Sequence, residues 1–227
     1  MLRVYVVNCK ELQSEDIFNE RIGNIPFVRI EKCLKHKTME GKSQSLGASL
    51  ALSEALKELG FSKAEIRNAD ILVSEHGKPY INNVFFNLSH TVDMAVCAVS
   101  DCEIGVDVEK IRDFNLNIVK RFFCESEYRY LMSIKDNKEK MQNEFFRLWT
   151  LKEIYIKANA KGLFIGLDSF EFDTGSGELR SRLIKSPDNK EWFFNEIKDF
   201  ALHKIAICTE KNIKTDSIIT VDCSCLD

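Results

Sequence analysis

The spacing of apolar positions along this chain changes several times, and each change marks a different element. Residues 1–12 read as a short strand carrying Arg3 and Lys10. Over residues 43–59, Leu46, Leu50, Leu52, Leu56 and Leu59 fall mostly on one face of a helix, and Gly60 supplies the stop. Apolar runs at 71–73, 84–88, 94–99 and 104–108 predict strands, with Gly77-Lys78-Pro79 as a turn among them. Helical spacing returns at 116–123 and 126–134. A long helix is then predicted over 138–159, closed by Lys161-Gly162. The tail reads as strands near 169–172, 179–183, 192–197, 203–208 and 217–221.

A helix followed by strands thus occurs once before about residue 105 and again after it. Met94–Val99 and Lys204–Cys208 look like corresponding strands of the two halves, although such short apolar matches are only suggestive. The order lacks regular β-α-β alternation, which predicts an α+β fold with an N-terminal subdomain over 1–104 and a C-terminal one over 105–227. Neither G-x-G-x-x-G nor G-x-x-x-x-G-K-[ST] occurs, so a nucleotide would be held by other means.

Composition narrows the function classes. At 44% apolar and 30% charged residues, the 227-residue chain has enough buriable surface for a core. No run reaches the roughly 18 to 20 apolar residues of a membrane span, and nothing resembles a secretory signal. The expectation is a cytoplasmic protein with no membrane partner. Its eight cysteines include no C-x-x-C pair, and several lie in strand-like apolar runs, which fits reduced, buried thiols. Cys223-Ser224-Cys225 lacks His partners and is weak ground for a metal. A net charge of −3 argues against nucleic acid as a partner. One stretch departs from that balance: Arg29, Lys32, Lys35, His36, Lys37 and Lys42 form either a solvated helix face or an anion site.

Three constellations carry candidate chemistry. In Gly105-Val106-Asp107-Val108-Glu109, the two carboxylates project from one face of a strand and repel each other. A hard divalent cation would relieve that repulsion, while an exposed edge strand with alternating polar residues would look the same. In Trp149-Thr150-Leu151-Lys152-Glu153 with Lys157, the charges interrupt an aromatic and aliphatic helix. They form either a surface i,i+4 pair or a ligand site. Asn87-Leu88-Ser89-His90 places a hydroxyl and an imidazole at a strand end, downstream of Lys78 and Pro79. Adjacent Ser89 and His90 do not make a nucleophile–base pair, and no G-x-S-x-G elbow is present.

Taken together, these pieces resemble the phosphopantetheinyl transferases of the surfactin-synthetase-activating type, which carry G-[IV]-D-[IV]-E followed by W-[ST]-x-K-E-x-x-x-K. The resemblance runs from about Arg29 to Cys208, and it includes Arg121–Glu127 and Lys161-Gly162-Leu163 in the expected order. It implies a pseudo-dimer of two similar α+β subdomains with the active site between them, acting as a monomer. It further implies a magnesium-dependent enzyme that moves 4′-phosphopantetheine from coenzyme A to a serine of an apo acyl or peptidyl carrier protein, releasing adenosine 3′,5′-bisphosphate.

The resemblance assigns Mg²⁺ to Asp107, Glu109 and Glu153. It gives the pyrophosphate to Lys157, with Lys152 as a less certain phosphate contact. Lys78, Pro79, Ser89 and His90 would meet the adenylate and its phosphates, and Arg29 and Lys32 the 3′-phosphate. Ser43 stands where relatives carry a further arginine, which weakens 3′-phosphate recognition. The base for the serine would be Glu153, directly or through a metal-bound water, or Glu127. The carrier would dock near Phe122, Phe123, Tyr128 and Leu131. Two rivals remain at this stage: a magnesium phosphodiesterase and a non-catalytic coenzyme A binder.

Overall fold

The computed structural model describes residues 1–159, 165–175, 181–188 and 190–223. The expected Lys161-Gly162 helix stop, Leu163, the first two residues of the strand at 179–183 and Cys225 lie outside them. The architecture is α+β. The chain divides into two compact units, the first combining Met1–Asp101 with the segment from Lys214 onward, the second comprising Cys102–Ile213.

In the first unit, β1 (Leu2–Asn8) leads through short helices α1 (Glu15–Arg21) and α2 (Phe27–Leu34) to the 20-residue α3 (Met39–Glu58) and then α4 (Lys63–Arg67). A small hairpin of β2 (Leu72–Val73) and β3 (Pro79–Tyr80) precedes β4 (Phe85–Thr91) and β5 (Met94–Ser100). The helix α3 begins earlier than its leucine pattern indicated, because Thr38 caps it by accepting a hydrogen bond from the Gly41 amide. Leu46, Leu50, Ala51, Ala55 and Leu56 are buried along it. Gly47 lets it approach the sheet: a Cβ there would stand 2.7 Å from Cys9 Sγ and 3.2 Å from Ala95 Cβ.

The sheet of this unit runs β11-β1-β5-β4, with β1 antiparallel to β5 and parallel to β11 (Ser217–Val221). That parallel pairing differs from the expected C-terminal subdomain over 105–227, whose start lies near the observed break but whose end does not. The described residues 214–223 belong with the first unit, and Leu2 and Asp216 are joined in both directions by hydrogen bonds. A strand partner more than 200 residues away leaves no trace in local spacing.

The second unit opens with β6 (Ile104–Lys110), continues through α5 (Leu116–Phe122) and α6 (Glu125–Ser133), and reaches the 22-residue α7 (Lys138–Asn159). A β7 (Glu171–Phe172) and β8 (Leu183–Lys185) pair follows, then β9 (Phe193–Ile197) and β10 (His203–Thr209). Its main sheet runs β6-β10-β9, antiparallel throughout. Phe145, Leu148, Leu151, Ile154 and Tyr155 of α7 are buried in a core rich in aromatic rings. Arg147 is also buried there, in a forked pair with Glu196 at 2.6 to 3.0 Å. The described cysteines are free thiols, and all but Cys124 are buried.

Candidate active site

The site in the second unit starts from a glycine. At Gly105 of β6, a Cβ would stand 2.2 Å from the Ile154 carbonyl oxygen and 2.6 Å from the Ala158 amide, both backbone atoms of α7. Only glycine permits this approach. Because strand residues two apart share a face, Asp107 and Glu109 point to the same side as Gly105, toward α7. Val106 and Val108 pack the opposite side, fully buried. The edge-strand alternative is therefore set aside: β6 is an edge of its sheet, but its carboxylates face the helix.

On α7, Glu153 and Lys157 lie one turn apart. Lys157 Nζ donates to Asp107 Oδ1 at 2.7 Å and to the Val106 carbonyl at 3.2 Å. Asp107 is buried, whereas Glu109 and Glu153 are half-buried. Arg112 Nη1 stands 3.3 Å from Glu109 Oε2. Burial pushes the Glu109 carboxyl up to about 7, and the Asp107 charge adds to the shift against the opposing pull of Arg112 and Lys157. Burial likewise raises Glu153, with Asp107 adding and Lys157 opposing. Three carboxylates thus share the cations Lys157 and Arg112, and burial together with the neighbouring carboxylates raises the proton affinity of Glu109 and Glu153.

Whether the trio suits a metal ion follows from that imbalance. Among the described residues, no three Asp, Glu, His or Cys side chains are already gathered as a ready cation cage. Hard carboxylate oxygens nevertheless match what Mg²⁺ takes, and Lys157 already places a cation on Asp107. The donor chemistry fits a divalent ion.

Two expected site residues are corrected. Lys152 and Glu127 are completely buried and face each other at 2.8 Å. Lys152 Nζ also donates to the Leu167 and Phe170 carbonyls at 2.9 and 2.8 Å, so its three donors are engaged. Glu127 accepts from the Cys124 amide and the Phe172 amide, each at 3.0 Å. This pair fastens α6, α7 and the 167–172 segment together; neither a phosphate contact nor a base is available from it. The proposed docking residues split similarly. Phe123 and Leu131 are buried, and Phe123 packs tilted against Phe145 and Trp149 at 5.6 and 6.3 Å between centroids, while Phe122 and Tyr128 remain half-buried.

The remaining candidates belong to the first unit. Lys78 and Pro79 follow Gly77, whose φ of +84° suits glycine, and the Lys78 amide bonds to Ser74 Oγ at 3.0 Å. The β2–β3 hairpin packs beside β4. Ser89 and His90 lie within β4 rather than at its end, Ser89 buried and His90 exposed, as alternation dictates. Lys32 is exposed on α2. Arg29, one turn earlier, is buried with Nε on Ser49 Oγ at 3.0 Å. Ser43 is buried and donates to the Glu40 carbonyl at 2.8 Å. Within the same basic stretch, Lys35 pairs with Glu31 in open solvent. Arg112 was not foreseen: it follows the strand without any motif of its own.

Comparison with known proteins bears on the same residues. The 4′-phosphopantetheinyl transferase superfamily model matches residues 103–208, a span that contains β6, α7 and all but the last residue of β10. A 4′-phosphopantetheinyl transferase from Bacillus subtilis is 35% identical over 212 residues, covering 91% of this chain and 92% of the relative. The transferase Sfp of Bacillus subtilis strain 168 is 37% identical over 74% of this chain and 75% of its own length. The gsp transferase of Aneurinibacillus migulanus is 28% identical over 97% and 91%. On this similarity, extending through both units and the glycine-carboxylate strand, the chain belongs to the 4′-phosphopantetheinyl transferase family and is an enzyme of that kind.

Proposed function

We propose that this enzyme transfers the 4′-phosphopantetheine arm of coenzyme A to a serine hydroxyl of an apo carrier protein, releasing adenosine 3′,5′-bisphosphate and requiring Mg²⁺. The observation that supports this most is the alignment of Asp107, Glu109, Glu153 and Lys157 by the close α7–β6 approach at Gly105. Asp107, Glu109 and Glu153 would hold the ion, which would supply positive charge to the pyrophosphate while the serine oxygen bonds to the arm's phosphorus and the P–O bond between the two phosphates breaks, the bridging oxygen leaving with adenosine 3′,5′-bisphosphate. Lys157 would turn its ammonium from Asp107 to a pyrophosphate oxygen and stabilise charge there. Glu153, with its raised proton affinity, would accept the proton of the carrier serine. The commitment of Glu127 to Lys152 supports this reading, in which Glu153 would act directly or through a metal-bound water.

Lys78, Pro79, Ser89 and His90 would contact the adenylate and its phosphates, and Lys32 the 3′-phosphate, with Arg29 in a supporting place behind it. We also read the two units as a duplicated module. Each sets one long helix across an antiparallel strand trio, with a glycine at the helix–sheet contact. Among the described residues no helix is long and apolar enough to cross a membrane, and we propose a cytoplasmic, monomeric enzyme.

The test is transfer of fluorescent coenzyme A to apo acyl and peptidyl carrier proteins, with Mg²⁺ and with EDTA. Label on the carrier serine that needs Mg²⁺ and disappears in Asp107→Ala and Glu153→Ala is the expected result. Binding of coenzyme A without label on any carrier would leave a binder in place of a transferase; label unaffected by EDTA would remove the metal from the mechanism.

A further inference from the structure

Away from the carboxylate site, the first unit holds a cavity of about 160 Å³ on the side of α3 that faces α4. Leu50 and Ile66, both buried, form its floor. Asn24, at the end of the Ile22–Asn24 turn, closes one side. The wall is held in place by Arg67, which bonds to the Gly23 and Ile25 carbonyls and lies over the Phe27 ring at 4.0 Å. The hollow is thus a fixed feature of the packing between α3, α4 and the turn.

Its rim is unevenly charged. Lys57, Lys63 and Arg67 line it against a single carboxylate, Glu54. Glu54 pairs with Lys57 at 3.5 Å and with no other cation among the described residues. Arg67 has carbonyls and an aromatic ring as partners, and Lys63 makes no ion pair among the described residues. An apolar floor beneath surplus positive charge selects a ligand with an apolar body and one anionic end. The volume is about that of a cavity which holds one benzene-sized group. A phosphate ion would keep its hydration shell rather than cover Leu50 and Ile66. A neutral hydrocarbon would leave the lysines unanswered.

We propose that this cavity binds a small apolar monocarboxylate, with the ring or short chain on Leu50 and Ile66 and the carboxylate toward Lys57 and Lys63. Such a ligand ties α4 and the Ile22–Asn24 turn to α3, and so stabilises the first unit by mass action. The site stands apart from the transferase residues and does not depend on the proposed reaction.

The experiment uses the whole protein and benzoate as probe, followed by calorimetry, thermal unfolding and methyl NMR. Hexanoate, toluene and inorganic phosphate are compared. Saturable binding of benzoate and hexanoate, with shifts centred on the Leu50 and Ile66 methyls and a higher unfolding midpoint, is the expected result. Lys57→Gln and Lys63→Gln, both at exposed positions, should each weaken benzoate by about two- to five-fold. Ser53→Leu, which extends an apolar side chain into the space, should remove binding while the protein stays folded. The proposal is overturned if benzoate fails to bind at millimolar concentration, or if toluene binds as tightly. Phosphate moving the same resonances, or Lys57→Gln combined with Lys63→Gln binding benzoate unchanged, would overturn it equally.

Discussion

The helices α3 and α7 do the same mechanical job in their two units, and they do it with opposite chemistry. Each lies across three antiparallel strands with a glycine at the contact. The buried face of α3 is leucine, alanine and serine, and its serines are satisfied locally: Ser49 donates to the Ser45 carbonyl at 2.8 Å and Ser53 to Ser49 at 3.0 Å. By contrast, α7 buries Glu144, Arg147 and Lys152 among aromatic rings. Its charges fall into two kinds. Lys152 is sealed and fully partnered, whereas Lys157 and Glu153 stay partly exposed in a group where Lys157 and Arg112 face the three carboxylates Asp107, Glu109 and Glu153. Charge on this helix therefore does not by itself identify chemistry; incomplete neutralisation does.

The comparison can be broken first at the sealed pair. Lys152→Ala should destabilise the second unit by about 3–5 kcal/mol in urea unfolding, because it strands a buried Glu127. Replacing both together, as Lys152→Met with Glu127→Leu, should recover much of that loss. A small effect of the single change would mean the pair is not the fastening it looks to be. Next, Asp107→Ala and Glu153→Ala should each lower transfer by about 100- to 1,000-fold with the unfolding midpoint little changed, read from the labelled coenzyme A assay and circular dichroism.

The two glycines offer a finer discrimination. Gly47→Ala meets side chains that can shift and should cost about 1–3 kcal/mol. Gly105→Ala meets the α7 backbone at 2.2 Å and should cost more, with transfer lost alongside stability. Equal penalties would contradict the difference between the two contacts. A smaller effect concerns pH. The Glu109 carboxyl is raised above its unfolded value, so its contribution favours the fold below the unfolded pKa and is lost as pH rises through about 7. The metal-free protein should therefore melt lower at about pH 8 than at about pH 5, and Glu109→Gln should flatten the profile. Smallest of all, Lys35→Ala removes an exposed pair with Glu31 and should leave the unfolding midpoint where it was.

Much of this was legible from spacing alone. The bounds 138–159 of α7 coincide with the predicted ones, because the helix is long and its apolar positions keep a helical period. The strand carrying Asp107 and Glu109 was equally plain. What spacing hides is burial of charge: Lys152, Glu153 and Lys157 are letters of one motif, yet the fold seals the first and leaves the others at the site. Phe123 was read as surface for the same reason, since an aromatic residue between two short helices has no period that shows which way it points. The helix α1 escapes a spacing argument because it is short and only lightly apolar, and in α2, a single pair of turns, the basic side chains do not reveal that Arg29 turns inward to Ser49.

The parallel pairing of β11 with β1 has a consequence for biosynthesis. The ribosome releases β1 first and β11 only after every residue of the second unit has been made. During translation the nascent first unit therefore waits with one margin of β1 unpaired, while the second unit, contiguous in sequence, can already fold as a unit. An open strand margin is a template for stray pairing. Completion of this sheet thus waits for a five-residue segment that follows the whole second unit, and slowing elongation between the two units' strands should expose the incomplete sheet to chaperones for longer.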